Sequence, residues 1–220
     1  MPGRFFGQGP SRFPYVHAAA QMRPQMAAIL SSPQRNEALL DGPSILLQAV
    51  IIPGNKTTEG QLVEAVALPW FEIIELLGRS PETIYEIDWR KWEEIIAAAY
   101  KQQGFDVTLT PRSDDKGRDV IATSKRLGSV RFFEQVKAYR PGHVVTAEEV
   151  RAMVGVLTLE PNVSKGLVTT TSGFAPGIQQ DPEIARLMPY RLELKGREAL
   201  LEWLATVATQ RESRDERSGR

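Results

Sequence analysis

The sequence predicts an α/β fold in which a mixed central β-sheet is flanked by helices, with a mainly helical N-terminal extension. Three observations carry that expectation. From Ile87 onward, apolar residues recur at helical spacing, then in three short β-rich runs, then in the order helix, strand, short helix, strand, helix. The two long helical stretches in this part begin at side chains that can cap them, Asp88 and Thr146. The strand stretches are rich in Val, Ile, Phe and Thr and are bounded by turn residues.

Taken in order, residues 1–16 are rich in Gly, Pro, Arg and Phe without periodicity and read as a disordered tail. Residues 17–80 read as mainly helical, with runs at Ala18 to Ile29 and Gly60 to Leu77 around a β-rich piece at Ile45 to Ile52. Pro24 and Pro69 interrupt or restart those helices. This region holds no chemical motif, and its expected role is to pack against the next domain or a second subunit. A domain over 81–208 follows. Asp88 caps a helix reaching about Gln103, where Gly104 ends it, with Trp89, Trp92, Ile96 and Ala99 as its buried stripe. Strands are expected at Val107 to Thr110, Arg118 to Ser124 and Ser129 to Tyr139, the last two joined through Lys125 to Gly128. Thr146 caps a helix to about Leu159, Lys165 to Thr171 is a buried strand, Arg191 to Leu194 the last strand, and Gly196 to Thr206 the closing helix. The charged residues 209–220 read as a second disordered tail.

Composition narrows the chemistry. The 220 residues contain no cysteine, which excludes disulfides, a thiol nucleophile and a thiolate zinc site. With His17 and His143 as the two histidines, a divalent ion would be held mostly by oxygen, which favours Mg²⁺ or Mn²⁺. No apolar run is long enough to cross a bilayer and no secretory signal pattern opens the chain, so the expectation is a cytoplasmic protein that is not embedded in a membrane. Net charge is zero. Basic residues nevertheless gather between Arg112 and Arg140, a pattern that a solvated mixed-charge hairpin would also produce.

The informative segment runs from Gly117 to Lys137. If the turn is centred on Leu127, positions equidistant from it pair, and Asp119 falls opposite Gln135. Side chains alternate along a strand, so Gln135 and Lys137 share one face and a directly opposite partner shares it too. An acid, an amide oxygen and a lysine would then converge. Phosphodiester hydrolysis needs such a set: oxygen ligands for Mg²⁺ and a cation near the attacking water. On the preceding helix Glu93 lies at the margin of the buried stripe and Glu94 on the far side, so Glu93 is the acid placed to reach a sheet-borne site. The run Thr169 to Gly173 reads either as hydroxyl donors to phosphate or as a β-branched core strand, the second reading being favoured. His143 reads as a loop residue or a proton carrier near the site.

These anchors resemble a family. The runs Trp89-Arg90-Lys91-Trp92-Glu93-Glu94-Ile95-Ile96, Gly104-Phe105, Asp115-Lys116-Gly117-Arg118-Asp119-Val120, Gln135-Val136-Lys137-Ala138-Tyr139 and Gly166 to Ser172 resemble, in the same order, the Mrr-type (type IV) restriction endonucleases. That family lies in the Gln-x-Lys branch of the PD-(D/E)xK nuclease superfamily. The resemblance implies a restriction-endonuclease-like sandwich and a Mg²⁺-dependent endonuclease, with Mn²⁺ as an alternative ion. It further implies double-stranded DNA as the partner, a homodimer, and a role in restricting foreign or modified DNA. Carried over by position, Asp119 would be the metal-binding acid and Gln135 would occupy the place of the second acid. Val136 would offer its carbonyl to the metal, Lys137 would orient the water, and Glu93 would support the site. The Pro-Asp pair of the superfamily name is here Arg118-Asp119. Asp119→Ala is expected to leave folding nearly intact. Two other readings stay open: a nucleic-acid-binding module that does not cut, and a junction-resolving or repair nuclease.

Overall fold

The β-rich middle of the chain forms one seven-stranded sheet. The computed structural model describes residues 42–111, 117–124 and 129–218. The tail expected at 1–16, the helical run at Ala18 to Ile29 and the turn at Lys125 to Gly128 lie outside the described residues. A short helix α1 (Gly42–Leu46) precedes strands β1 (Ile51–Lys56) and β2 (Gln61–Val66), helix α2 (Leu68–Arg79) and a 3₁₀ turn over Pro81–Tyr85. Then come α3 (Trp89–Gln102), β3 (Asp106–Leu109), β4 (Val120–Ser124), β5 (Val130–Lys137), β6 (Val144–Val145) and α4 (Ala147–Leu159). The chain continues through β7 (Lys165–Thr170), β8 (Gly173–Phe174), α5 (Pro182–Ala185), β9 (Leu192–Lys195) and α6 (Arg197–Ser218).

The large sheet has the order β1-β2-β3-β4-β5-β7-β9, and β6 pairs with β8 separately. Strands β1 to β5 are antiparallel neighbours, while β7 and β9 add in parallel, so the sheet is mixed. A parallel addition needs a crossover, and α4 lies between β5 and β7 in the chain to supply it. Two apolar clusters fill the faces. One joins α2, α3 and α6 through Trp70, Ile73, Trp92, Ile95 and Leu200, and the other joins α4 and α5 through Met153, Val150 and Ile184 to Phe133. The buried indoles are satisfied: Trp70 Nε1 donates to the Ile95 carbonyl at 2.9 Å and Trp92 Nε1 to the Ile84 carbonyl at 3.2 Å. Among the described residues no helix is long and apolar enough to cross a membrane.

Besides the piece expected as β-rich at Ile45 to Ile52, which is helical to Leu46 and strand only from Ile51, the structure departs from the sequence expectations in three places. The stretch from Gly60 begins as strand β2 rather than helix, and helix starts only at Leu68. Short apolar runs do not separate the two periods. Here Gly60 takes a φ of +144° beside the Thr57 turn, and a Cβ at that position would lie 2.0 Å from the Leu109 carbonyl oxygen, so the backbone closes onto β3. As a result β1 and β2 hydrogen-bond into the sheet and α2 packs in its core. The second departure is Trp89, which is 49% exposed instead of buried, because it sits in the first turn of α3 before the helix meets its neighbours at Trp92. The third is the tail read at 209–220, whose backbone stays helical to Ser218. Extending an existing helix avoids the nucleation penalty, and the sequence from Leu200 to Ser218 has no Gly or Pro to stop it.

Candidate active site

The register between β4 and β5 places the proposed residues. Val120 pairs with Glu134, Ile121 with Phe133 and Thr123 with Arg131, positions equidistant from Leu127. The ladder ends at Val120, one residue short of Asp119, so the expected pairing of Asp119 with Gln135 is not part of it. Asp119 itself lies before β4, not within it, and is held by its backbone: its N–H donates to the Glu134 carbonyl at 2.8 Å and its carbonyl accepts the Thr110 N–H at 3.1 Å. Thr110 Oγ1 also donates to the Arg118 carbonyl at 2.7 Å. Upstream, Gly117 turns the chain at φ +76°. The guanidinium of Arg118 stacks 4.6 Å above the Phe133 ring and bonds Glu160 at 3.0 Å, fixing the residue before the acid.

The Asp119 carboxylate bridges the gap. Its Oδ2 accepts the Val136 N–H at 2.7 Å, which brings the acid onto the peptide between Gln135 and Lys137. The N–H and C=O of one strand residue leave the strand on the same side, so the Val136 carbonyl faces the Asp119 side of β5. Gln135 projects with Phe133 toward the α4 layer, and its Oε1 is buried with no hydrogen-bond partner among the described residues. Leaving a buried acceptor empty costs about 1–3 kcal/mol, so this oxygen is suited to a ligand. Among the described residues no three His, Asp or Glu side chains cluster as a metal site. An ion bound here would rest on one carboxylate, one amide oxygen and one backbone carbonyl. These are hard oxygen donors, and they fit Mg²⁺.

Lys137 is half-buried and faces Glu149 of α4, with Nζ 3.6 Å from Oε1. Tyr139, two residues on and on the same face, donates its hydroxyl to the same carboxylate oxygen. Glu149 Oε2 accepts from Thr146 N and Oγ1, both at 2.9 Å, which closes a capping box at the start of α4. Burial alone would raise the Glu149 pKa, but hydrogen bonds from Tyr139 and Thr146 and the charge of Lys137 together hold it below the usual carboxylate value. Burial and the neighbouring Glu149 push the Tyr139 phenol up to about 12. A depressed carboxylate pKa stabilises the fold above the unfolded value, 4.5, and that contribution is lost as pH falls through the lower folded value. Thermal melts from about pH 6 down to about pH 3 should therefore show the gap between wild type and Glu149→Gln closing on acidification.

Glu93 is buried, as its helix position implied. It arrives from α3, the layer opposite α4, and its carboxylate pairs with Arg90, whose guanidinium also reaches the Thr110 carbonyl at 3.4 Å. Thr110 in turn holds Asp119, so Glu93 is tied to the same strand ends through Arg90. Arg90→Ala removes the ion pair of a carboxylate that is 3% exposed, and a lower midpoint in a denaturant titration is expected. The acid next to Gln135 in sequence, Glu134, points to the other face. There it accepts from Thr169 Oγ1 and lies near the buried Tyr100, whose pKa is raised by burial and by the Glu134 charge.

The threonine run is core. Thr169, Thr170 and Thr171 are buried, and the hydroxyls of the last two donate at 2.8 Å to the Lys137 and Tyr139 carbonyls. His143 is exposed, with its ring 5.2 Å from that of Tyr139. Of the basic segment, Arg112, Lys116, Lys125 and Arg126 lie outside the described residues, and Arg131 pairs with Glu59. Sequence reasoning did not single out Glu149, Tyr139 or Arg90. The signal for Glu149 was present in the Thr146-Ala147-Glu148-Glu149 capping pattern.

The model of a restriction endonuclease family, Mrr_cat, matches residues 84–204, just over half of the chain. An uncharacterised protein of Sinorhizobium fredii, y4cE, is 26% identical over 135 residues, which cover 61% of this chain and 34% of that protein. Among solved structures, the MspJI restriction endonuclease in complex with a 27-mer oligonucleotide aligns at a TM-score of 0.43 and 18% identity over 60% of this chain and 31% of the other. The restriction endonuclease FokI aligns at 0.43 and 15%, over 67% and 29% of the two chains. The DNA modification-dependent restriction endonuclease AspBHI aligns at 0.39 and 15%, over 68% and 39%. The chain thus spans about a third of the length of these relatives.

Proposed function

Since the chain belongs to the Mrr-type restriction endonuclease family, we propose that it is a Mg²⁺-dependent endonuclease that hydrolyses double-stranded DNA in the restriction of foreign or modified DNA. In this reading it works in the cytoplasm as a homodimer, each copy cutting one strand. The observation that carries the proposal is the Asp119 carboxylate seated on the N–H of Val136, the residue between Lys137 and Gln135, whose buried side-chain oxygen has no hydrogen-bond partner among the described residues.

Asp119, Gln135 Oε1 and the Val136 carbonyl would hold the ion, and Mn²⁺ would satisfy the same oxygens. When bound, Mg²⁺ supplies Lewis-acid polarisation of the phosphate and a more acidic water. The protein does the rest. Lys137 donates an N–H to the attacking water or to a non-bridging phosphate oxygen and offsets charge as it develops. Water adds to phosphorus, one P–O ester bond breaks, and the products are a phosphate monoester and a free hydroxyl. Glu93, with Arg90 and Thr110, holds the strand ends on which Asp119 sits.

Incubating the purified protein with modified and unmodified plasmid DNA and Mg²⁺ or Mn²⁺ tests the proposal. Nicking that is lost in Lys137→Ala supports it, and an intact plasmid under every condition sinks it. Gln135 motivates a second reading, a module that binds DNA without cutting, because a neutral amide holds Mg²⁺ less firmly than a carboxylate. DNA binding without nicking or Mg²⁺-dependent stabilisation would select that version. A preference for branched over linear duplex would select a junction-resolving or repair nuclease, and sedimentation of the protein on DNA reads the homodimer. The metal reading makes a further prediction. Gln135→Glu should melt lower than wild type without metal, because a buried carboxylate joins Asp119, and should gain about 2.7 kcal/mol from Mg²⁺ at a concentration near 100 times its own Kd, more than wild type gains at that concentration.

A further inference from the structure

A capping box occupies only one oxygen of its glutamate. In α4 that oxygen is Glu149 Oε2, engaged by Thr146, while Oε1 is turned to the sheet and meets Lys137 and Tyr139. The carboxylate is therefore locked at one end by its own helix and presented at the other to the ammonium that the nuclease reading makes reactive. We propose that Glu149 is a positioning residue that fixes the Lys137 ammonium for phosphodiester hydrolysis; the proposal rests on that nuclease reading.

Three features support a role beyond capping. The Lys137 and Glu149 side chains are only about a quarter exposed, at 24% and 25%, so their attraction is screened less than that of a surface pair. A lysine stem has four rotatable carbons, and without a fixed counter-charge the ammonium would sample several positions. At 3.6 Å the contact with Glu149 is an ion pair rather than a hydrogen bond, so the ammonium's N–H donors remain available for a water and a phosphate oxygen. Tyr139 completes the device. Its hydroxyl holds Oε1 from the strand side, so the carboxylate cannot swing away from the end of β5.

The test uses the full chain and two substitutions that divide capping from positioning. Glu149→Gln retains an amide oxygen for the Thr146 N–H but removes the charge facing Lys137. Thr146→Ala breaks the side-chain half of the cap and leaves the Lys137 contact intact. Glu149→Gln should lower kcat by about 10-fold with KM changed less than about 2-fold, whereas Thr146→Ala should lower Tm yet keep kcat within about 2-fold. A second readout does not depend on cleavage: acetylation of Lys137 by an amine-reactive ester, followed by mass spectrometry with the other lysines as internal standards. It should rise several-fold in Glu149→Gln and stay unchanged in Thr146→Ala. Equal losses of kcat in the two variants, or unchanged Lys137 labelling in Glu149→Gln, would overturn the proposal. A wild-type protein that cuts no DNA would overturn the nuclease reading and the catalytic part of the proposal with it, while labelling would still report whether Glu149 holds Lys137.

Discussion

Asp119→Asn should reduce the rate of DNA cleavage by on the order of 10²–10³-fold while leaving the melting temperature close to that of the wild type. The two carboxylate functions separate in this variant. Asn keeps an oxygen that can accept the Val136 N–H, now accepted by Oδ2 at 2.7 Å, so the end of β5 stays closed. In the metal reading it removes the negative charge that would hold a divalent ion. Asp119→Ala is a different experiment. It leaves the Val136 N–H without its acceptor and should cost about 1–3 kcal/mol in addition to activity. The expectation that alanine would leave folding nearly intact did not count this bond. Cleavage kinetics with excess Mg²⁺, set beside urea titrations of both variants, read the two effects. Unchanged cleavage by Asp119→Asn would remove Asp119 from the site.

Trp92→Ala should produce the largest loss of stability, about 3–5 kcal/mol by denaturant titration. Its indole is fully buried at the centre of the cluster joining α2, α3 and α6, and its Nε1 donates to the Ile84 carbonyl in the turn before α3. Truncation opens a cavity that the surrounding Trp70, Ile95 and Ile84 side chains cannot close, and it orphans a buried carbonyl. Against a total stability of roughly 5–15 kcal/mol for an ordinary domain, that loss brings the chain near the unfolding threshold. Trp89→Ala, three residues earlier on a half-exposed ring, should cost less than Trp92→Ala. A comparable loss in both variants would contradict the burial difference between the two tryptophans.

That pair also shows where sequence periodicity reached its limit. Helical spacing put Trp89 and Trp92 in one stripe, but burial depends on where the helix first meets its neighbours, and α3 meets them at its second turn. The stretch Gln61 to Val66 was ambiguous for a related reason: six residues hold too few turns of either period to decide, and pairing with β3 settled it as strand. The strand register was legible because a hairpin is local. Symmetry about Leu127 specified which residues of β4 and β5 face one another, and the observed pairs follow it. Glu93 was legible as a buried-margin acid because helical spacing separates it from Glu94, yet its partner Arg90 was not. Both lie on one helix, but the distance to Thr110 that directs the guanidinium depends on how α3 lies over the sheet.

By itself, then, the sequence determined the order of the main helices and strands from Asp88 onward, though not β6 and β8, the pairing of Val120 to Ser124 with Val130 to Glu134, and the family. All of these follow from backbone geometry and side-chain alternation between near neighbours in the chain. The tertiary structure alone decided that β1 and β2 extend the sheet, that the Gln135 oxygen is buried without a partner among the described residues, and that Lys137 faces Glu149 from a separate layer. Such contacts are fixed by how layers distant in sequence pack against one another, and no local pattern encodes the gap between them.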